Sequence, residues 1–157
     1  MSTDNLALPL NTESDTDTLG TQIANSVSGG LIIYLIGELG AGKTRLAQAI
    51  IHGLGFQGHV KSPTYAMVES YPWSDGQIYH FDLYRLMDPM ELEYMGIQDY
   101  FDSENIILIE WPTKGGAMIA EADISIQLEY SGTGRKATIN AKSQRGALFF
   151  NKLKQNL

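Results

Sequence analysis

The 157-residue chain contains no cysteine, which excludes a disulfide framework, a thiolate nucleophile and a cysteine-ligated zinc site and fits a reducing compartment. It lacks any apolar run near the roughly 20 residues that a membrane-spanning helix requires. Its first residues, "MSTDNLALPL", lack the basic start and long apolar stretch of a secretory signal. The expectation is a soluble, cytoplasmic protein with no membrane partner. Positive charge is scarce, with 11 Lys and Arg against 18 Asp and Glu and a net charge of −7. That balance argues against the chain alone holding DNA or RNA, whose nonspecific affinity comes from clustered Lys and Arg. The imbalance is uneven, since residues 1–110 hold 4 basic and 15 acidic side chains and residues 111–157 hold 7 and 3. The basic end reads first as a solvated tail, and alternatively as a docking face for an acidic partner or for an RNA held by another protein.

One α/β domain spanning 1–157 is expected, with residues 1–11 flexible and residues 143–157 a basic tail or short helix. Leu19, Ile23 and Val27 recur at helical spacing within residues 12–28, with Thr12, Ser14 and Thr16 as possible caps. "LIIYLI", Leu31 to Ile36, is a glycine-bounded apolar run suited to a strand covered on both faces. Lys43 to Leu54 repeats apolar residues at Leu46, Ile50 and Leu54 and ends at Gly55. "SPTYAMVESYP" and "QIYHFDLY" read as extended segments around the turn "PWSDG", and "DPMELEYM" as a short helix starting at Asp88. "NIILIEW" is another buried strand, while "ADISIQLEY" and "RKATINA" alternate around "SGTG" as an antiparallel hairpin.

Between the first strand and the second helix lies "GELGAGKT", which meets the spacing G-x-x-x-x-G-K-[ST] at Gly37, Gly42, Lys43 and Thr44. Gly37, Glu38, Leu39, Gly40, Ala41 and Gly42 can wrap their backbone N–H groups around phosphates, aided by the positive end of the adjoining helix. Lys43 would reach the terminal phosphates, Thr44 would ligate Mg²⁺, and Arg45 completes the segment. A strand–loop–helix setting of this kind predicts a P-loop NTPase fold with a central, mainly parallel sheet, flanking helices and an antiparallel C-terminal hairpin.

Such a loop needs carboxylates opposite the γ-phosphate. "IILIE" and "IYHFD" place Glu110 and Asp82 at strand ends, where ligands gather in parallel sheets; spacing does not divide metal binding from water orientation between them. Thr64 in "SPTY", with Ser62 second, lies where many P-loop hydrolases carry a mobile loop that senses the γ-phosphate. Trp111 either packs or walls the pocket. His80, alternating within a strand, reads as a core residue, and His52 and His59 as surface ones. Asn151 and Lys152 precede Leu153 and Lys154, so the Asn-Lys-x-Asp guanine reader is missing and GTP is disfavoured. Only Arg45, Arg85, Arg135 and Arg145 are present, few for a small-molecule kinase that clamps its acceptor with arginines. A Mg²⁺-dependent ATPase is the first reading, with a small-molecule kinase or a non-hydrolysing nucleotide switch as alternatives.

"GELGAGKT", "SPTYAMVESY", "HFDLYRL", "ELEYMGIQDYF" and "LIEWPTKG" follow the order and spacing of the bacterial TsaE (YjeE) family, and the resemblance covers roughly residues 12–141. It implies the ATPase component of tRNA threonylcarbamoyladenosine biosynthesis, which modifies the adenosine beside the anticodon in tRNAs reading codons that begin with A. Lys43 would then be the phosphate-binding lysine, Thr44 and Glu110 the Mg²⁺ site, Asp82 and Trp111 residues needed for activity, and Thr64 part of a switch-like segment. The implied partners are TsaB and TsaD, which perform the transfer and bring in tRNA; ATP hydrolysis by the TsaE-like protein permits their turnover. Glu38 in place of a common aspartate, Arg45 in place of a common threonine, and the irregular "TKGGAMIA" depart from the family pattern.

Overall fold

The computed structural model describes residues 5–157. Seven strands form one sheet in the order β1-β7-β6-β2-β5-β4-β3. They are β1 (Asn5–Leu10), β2 (Leu31–Ile36), β3 (Val68–Trp73), β4 (Gly76–Asp82), β5 (Ile106–Glu110), β6 (Ile124–Ser131) and β7 (Gly134–Ala141). The helices are α1 (Glu13–Ser26), α2 (Lys43–Gly53), the one-turn α3 (Met90–Tyr94) and α4 (Gln144–Asn156), with 3-10 turns at Ile97–Phe101 and Pro112–Met118.

The central strands β6, β2, β5 and β4 run parallel, whereas β1–β7, β7–β6 and β4–β3 pair antiparallel. The sheet is therefore mixed, and the expected mainly parallel character holds only at its centre. β5 is buried along its whole length and β2 nearly so, as strands covered on both faces must be. One face packs α1, α2 and α4 through Leu19, Ile23, Leu46, Ile50, Phe150 and Leu153. The other packs α3 and the 3-10 turns through Leu92, Ile97 and Ile119 against Phe81, Ile107 and Ile109.

Several local features differ from the sequence reading. The flexible leader expected over residues 1–11 contains β1, an edge strand whose Leu6 and Leu8 pack on the α1–α4 core; residues 1–4 lie outside the described residues. Pro9 is tolerated there because an edge strand leaves one row of N–H groups unpaired. The segment "SPTYAM" is not extended: the Met67 N–H donates to the Pro63 carbonyl at 2.7 Å, closing a turn, and extended backbone begins only at Val68. Trp73, expected in the turn, follows Pro72 in the edge strand β3. Residues 144–156 are helical, capped by Ser143 and anchored by Phe149, Phe150 and Leu153, which selects the helix over an irregular tail. α1 starts on a reciprocal cap in which Thr12 Oγ1 accepts from the Asp15 N–H and the Asp15 carboxylate accepts from the Thr12 N–H.

Candidate functional site

Because β2, β4 and β5 are parallel, their carboxyl ends lie together, and the segments leaving those ends converge on one cavity of about 250 Å³. β2 leads into the glycine loop and α2. β4 and β5 end in register, with Asp82 opposite Glu110. Side chains alternate across a strand, so Ile78, His80 and Asp82 share the face of Ile106, Leu108 and Glu110, the face that α2 covers.

Gly42 caps the N-terminus of α2 at φ +105°, where a Cβ would meet only Leu128 Cδ1, at 4.0 Å. Its glycine is required by backbone conformation and not by crowding. Lys43, only 5% exposed, folds back over the loop: its Nζ donates to the Gly37 carbonyl and, at 3.4 Å, to the Glu38 carbonyl. The same ammonium lies 3.7 Å from the centre of the Trp111 ring. Burial pulls the Lys43 pKa down, opposed by the charges of Glu110 and Asp82. Trp111 holds φ +58°, uncommon for a residue with a side chain, and stacks obliquely on Tyr84 at 4.9 Å.

Glu110 is 2% exposed. Thr44 Oγ1 lies 3.0 Å from each of its carboxylate oxygens, and His80 Nε2 lies 2.7 Å from Oε2. Asp82 accepts from the Tyr84 N–H at 3.0 Å and from Thr64 Oγ1 at 3.3 Å; Thr64 in turn bonds Ser62 at 2.7 Å. The turn closed by Pro63 and Met67 is what aims Thr64 back at Asp82. Burial, above all, pushes the Asp82 pKa up; the Tyr84 N–H pulls it down, and Glu110 adds to the rise.

The structure thus brings Lys43, Thr44, Thr64, Asp82, Glu110 and Trp111 around one cavity, together with Leu39, Gly40 and Gly42. Glu38 is exposed and contributes its carbonyl, which also accepts from the Ala41 N–H at 3.1 Å. Arg45 borders the cavity, but its guanidinium is paired with Glu13 at 3.0 Å and Asp17 at 2.8 Å on α1.

Four contributors were not legible as site residues in the sequence. His80 is in the core as expected, yet it bonds Glu110 directly; its two-residue offset from Asp82 carried that signal. Tyr84 supplies a backbone N–H and a ring. Tyr130 and Arg135, on the β6–β7 hairpin, donate to the carbonyls of Leu39 at 2.7 Å and Gly40 at 3.2 Å and stack on one another at 4.2 Å. Only hairpin register brings them to the loop. Arg135 also lines a second cavity of about 360 Å³ beside Leu10, Asn11 and Thr16, which adjoins the first across Gly40, Gly42 and Arg45. Among the described residues no group of three or more His, Asp or Glu side chains could hold a metal ion alone, and no helix is long and apolar enough to cross a membrane.

Both the sequence and the fold have counterparts among known proteins. The sequence profile of a family described as "Threonylcarbamoyl adenosine biosynthesis protein TsaE" matches residues 10–138. The tRNA threonylcarbamoyladenosine biosynthesis protein TsaE of Haemophilus influenzae is 50% identical over 116 residues, covering 74% of this chain and 73% of that protein. The protein of that name from Bacillus subtilis is 31% identical over 134 residues, covering 83% and 82%. The crystal structure of Bacillus subtilis YdiB superposes with a TM-score of 0.83 over 99% of this chain and 97% of that one at 23% identity, a likeness of fold. With most of its length, from the end of β1 into β7, matched to one profile, the chain belongs to the TsaE family, whose members serve tRNA threonylcarbamoyladenosine biosynthesis.

Proposed function

We propose that the protein is a Mg²⁺-dependent ATPase with a P-loop fold that acts on the TsaB–TsaD pair, which carries the tRNA, to permit repeated turnover of threonylcarbamoyladenosine formation in the cytoplasm. The observation that carries the reading is the convergence of a glycine loop, a buried lysine and a hydroxyl at the start of α2 with two carboxylates at the ends of adjacent parallel strands.

The phosphates of ATP would lie in the first cavity against the N–H groups of residues 38–44 and the positive end of α2. The neighbouring cavity beside Leu10, Asn11, Thr16 and Arg135 has room for the base. The donors available for a cation, Thr44 Oγ1 and the Glu110 carboxylate, are hard oxygens, the kind Mg²⁺ takes in small number alongside phosphate oxygens. Bound there, the ion would offset the charge on the phosphates. Lys43 would exchange its loop carbonyls and the Trp111 face for phosphate oxygens. Asp82, its basicity raised by burial, would orient the attacking water, with Thr64 bonded to it and placed to sense the γ-phosphate.

Two observations support completion by a partner. Arg45 and Arg135, the arginines lining the two cavities, are engaged by α1 and the glycine loop, so none is poised at the site of transferring charge. Tyr65, next to Thr64 in the chain, and Met87, close behind Tyr84, are 85% and 90% exposed, apolar side chains open to a docking partner. Phosphate release from ATP should be slow for the protein alone and accelerate when TsaB and TsaD are added. Label passing to an organic acceptor would identify a kinase, and nucleotide binding without phosphate release under either condition would identify a switch.

A further inference from the structure

His80 is wholly buried, and only half of its ring is used. Nε2 meets Oε2 of Glu110 at 2.7 Å, whereas Nδ1 is, among the described residues, the one buried side-chain nitrogen or oxygen atom without a hydrogen-bond partner. The short contact can be made in three ways. Either a neutral ring donates Nε2–H to the carboxylate and Nδ1 keeps a bare lone pair, or the ring is an imidazolium or accepts from a protonated Glu110, and in both of those an Nδ1–H is left without an acceptor. Orphaned buried N–H groups are rarer than under-used lone pairs, so the unpartnered atom selects the first. The other neighbour of Glu110 does not fix its carboxylate: Thr44 Oγ1 is equidistant, at 3.0 Å, from both oxygens and has a single proton to give. The bond from His80 goes to Oε2 alone and breaks that symmetry.

We infer that His80 is a positioning residue whose Nε2–H pins Oε2 of Glu110 and so holds the carboxylate plane toward Thr44 and the nucleotide cavity. The task of Glu110 rests on the proposed nucleotide site; the hold of His80 on Glu110 rests on geometry. Partners behind a ligating carboxylate typically change metal affinity or activity about 10- to 100-fold when removed.

The test compares ATP affinity in Mg²⁺ and in EDTA for the wild type, His80→Leu and His80→Gln, together with a long-range ¹H–¹⁵N spectrum of the wild-type imidazoles, of which there are only three. Glutamine is the conservative variant because its amide N–H stands near the position of Nε2. The expected results are a proton on Nε2 of His80 and none on Nδ1, a loss of about 10- to 100-fold in His80→Leu confined to the Mg²⁺-dependent part of the affinity, and recovery of most of it in His80→Gln. A Mg²⁺ dependence unchanged in His80→Leu, or glutamine no better than leucine, overturns the positioning role. So does a proton on Nδ1 with Nε2 bare, which is read on the wild type and needs no variant to fold. Wild-type protein that binds no ATP in either buffer instead removes the nucleotide reading and, with it, the task assigned to Glu110, while the spectrum still decides the direction of the bond.

Discussion

Gly42 and Gly55 flank opposite ends of α2 at nearly the same φ, +105° and +110°, and a Cβ on either meets nothing closer than Leu128 Cδ1 at 4.0 Å. Replacing either with alanine therefore imposes backbone strain without a clash, about 1–2 kcal/mol. For a chain of this size each kcal/mol lowers Tm by roughly 2–4 °C, so both variants should lose about 2–8 °C. They should differ in ATP affinity. Gly42 sets the direction of the N–H groups at the mouth of α2, and losing one charge-assisted hydrogen bond costs about 1.5–3 kcal/mol, or about 10- to 150-fold in affinity. Gly55 is a whole helix away. Calorimetric titration of ATP into both variants beside their thermal melts separates strain from binding. Equal melts with wild-type ATP affinity in Gly42→Ala would refute the assignment of the glycine loop as the phosphate cradle.

Three further outcomes rest on the same geometry. Asp82→Asn should raise Tm at neutral pH: the folded-state pKa of Asp82 lies above its ordinary value of 3.8, so its charge costs stability above the folded value, and the cost vanishes once pH falls below the ordinary one. The Tm difference between variant and wild type should accordingly shrink on acidification, and a difference that grows would contradict burial as the main cause. The Trp111 ring sits on Lys43, whereas Trp73 is in the edge strand β3, so ATP should change tryptophan fluorescence in Trp73→Phe and leave it nearly unchanged in Trp111→Phe. Asp123 accepts from the Ile32 N–H at 2.8 Å, Ser143 Oγ at 2.6 Å and Arg145 Nε at 2.9 Å; Asp123→Ala should cost about 2–4 kcal/mol in urea unfolding by leaving the buried N–H unpaired, and a loss below about 1 kcal/mol would show that water or a neighbour replaces it.

What the sequence made legible was local. β2, the glycine loop and α2 are specified within about 24 consecutive residues by an apolar run, a glycine spacing and a 3.6-residue period. β5 and the ends of β4 and β5 are marked by short apolar runs closed by an acid. The features that escaped depend on distant pairing. β1 has only "NLALPL" to declare it, and it becomes a strand because β7, about 130 residues on, supplies its partner. The mixed character of the sheet lies in strand order, which no segment encodes. Tyr130 and Arg135 reach the glycine loop only through the placement of β6 beside β2, and the turn that aims Thr64 at Asp82 depends on a carbonyl of Pro63 that reads locally as extended backbone.

The most direct test of the proposed activity is phosphate release from ATP by the protein alone and with TsaB and TsaD, with and without Mg²⁺, for the wild type and Lys43→Ala. A slow Mg²⁺-dependent rate that the pair accelerates, and that Lys43→Ala abolishes, is the predicted result. A rate indifferent to the pair, or preserved in Lys43→Ala, would contradict a partner-completed ATPase built on this loop.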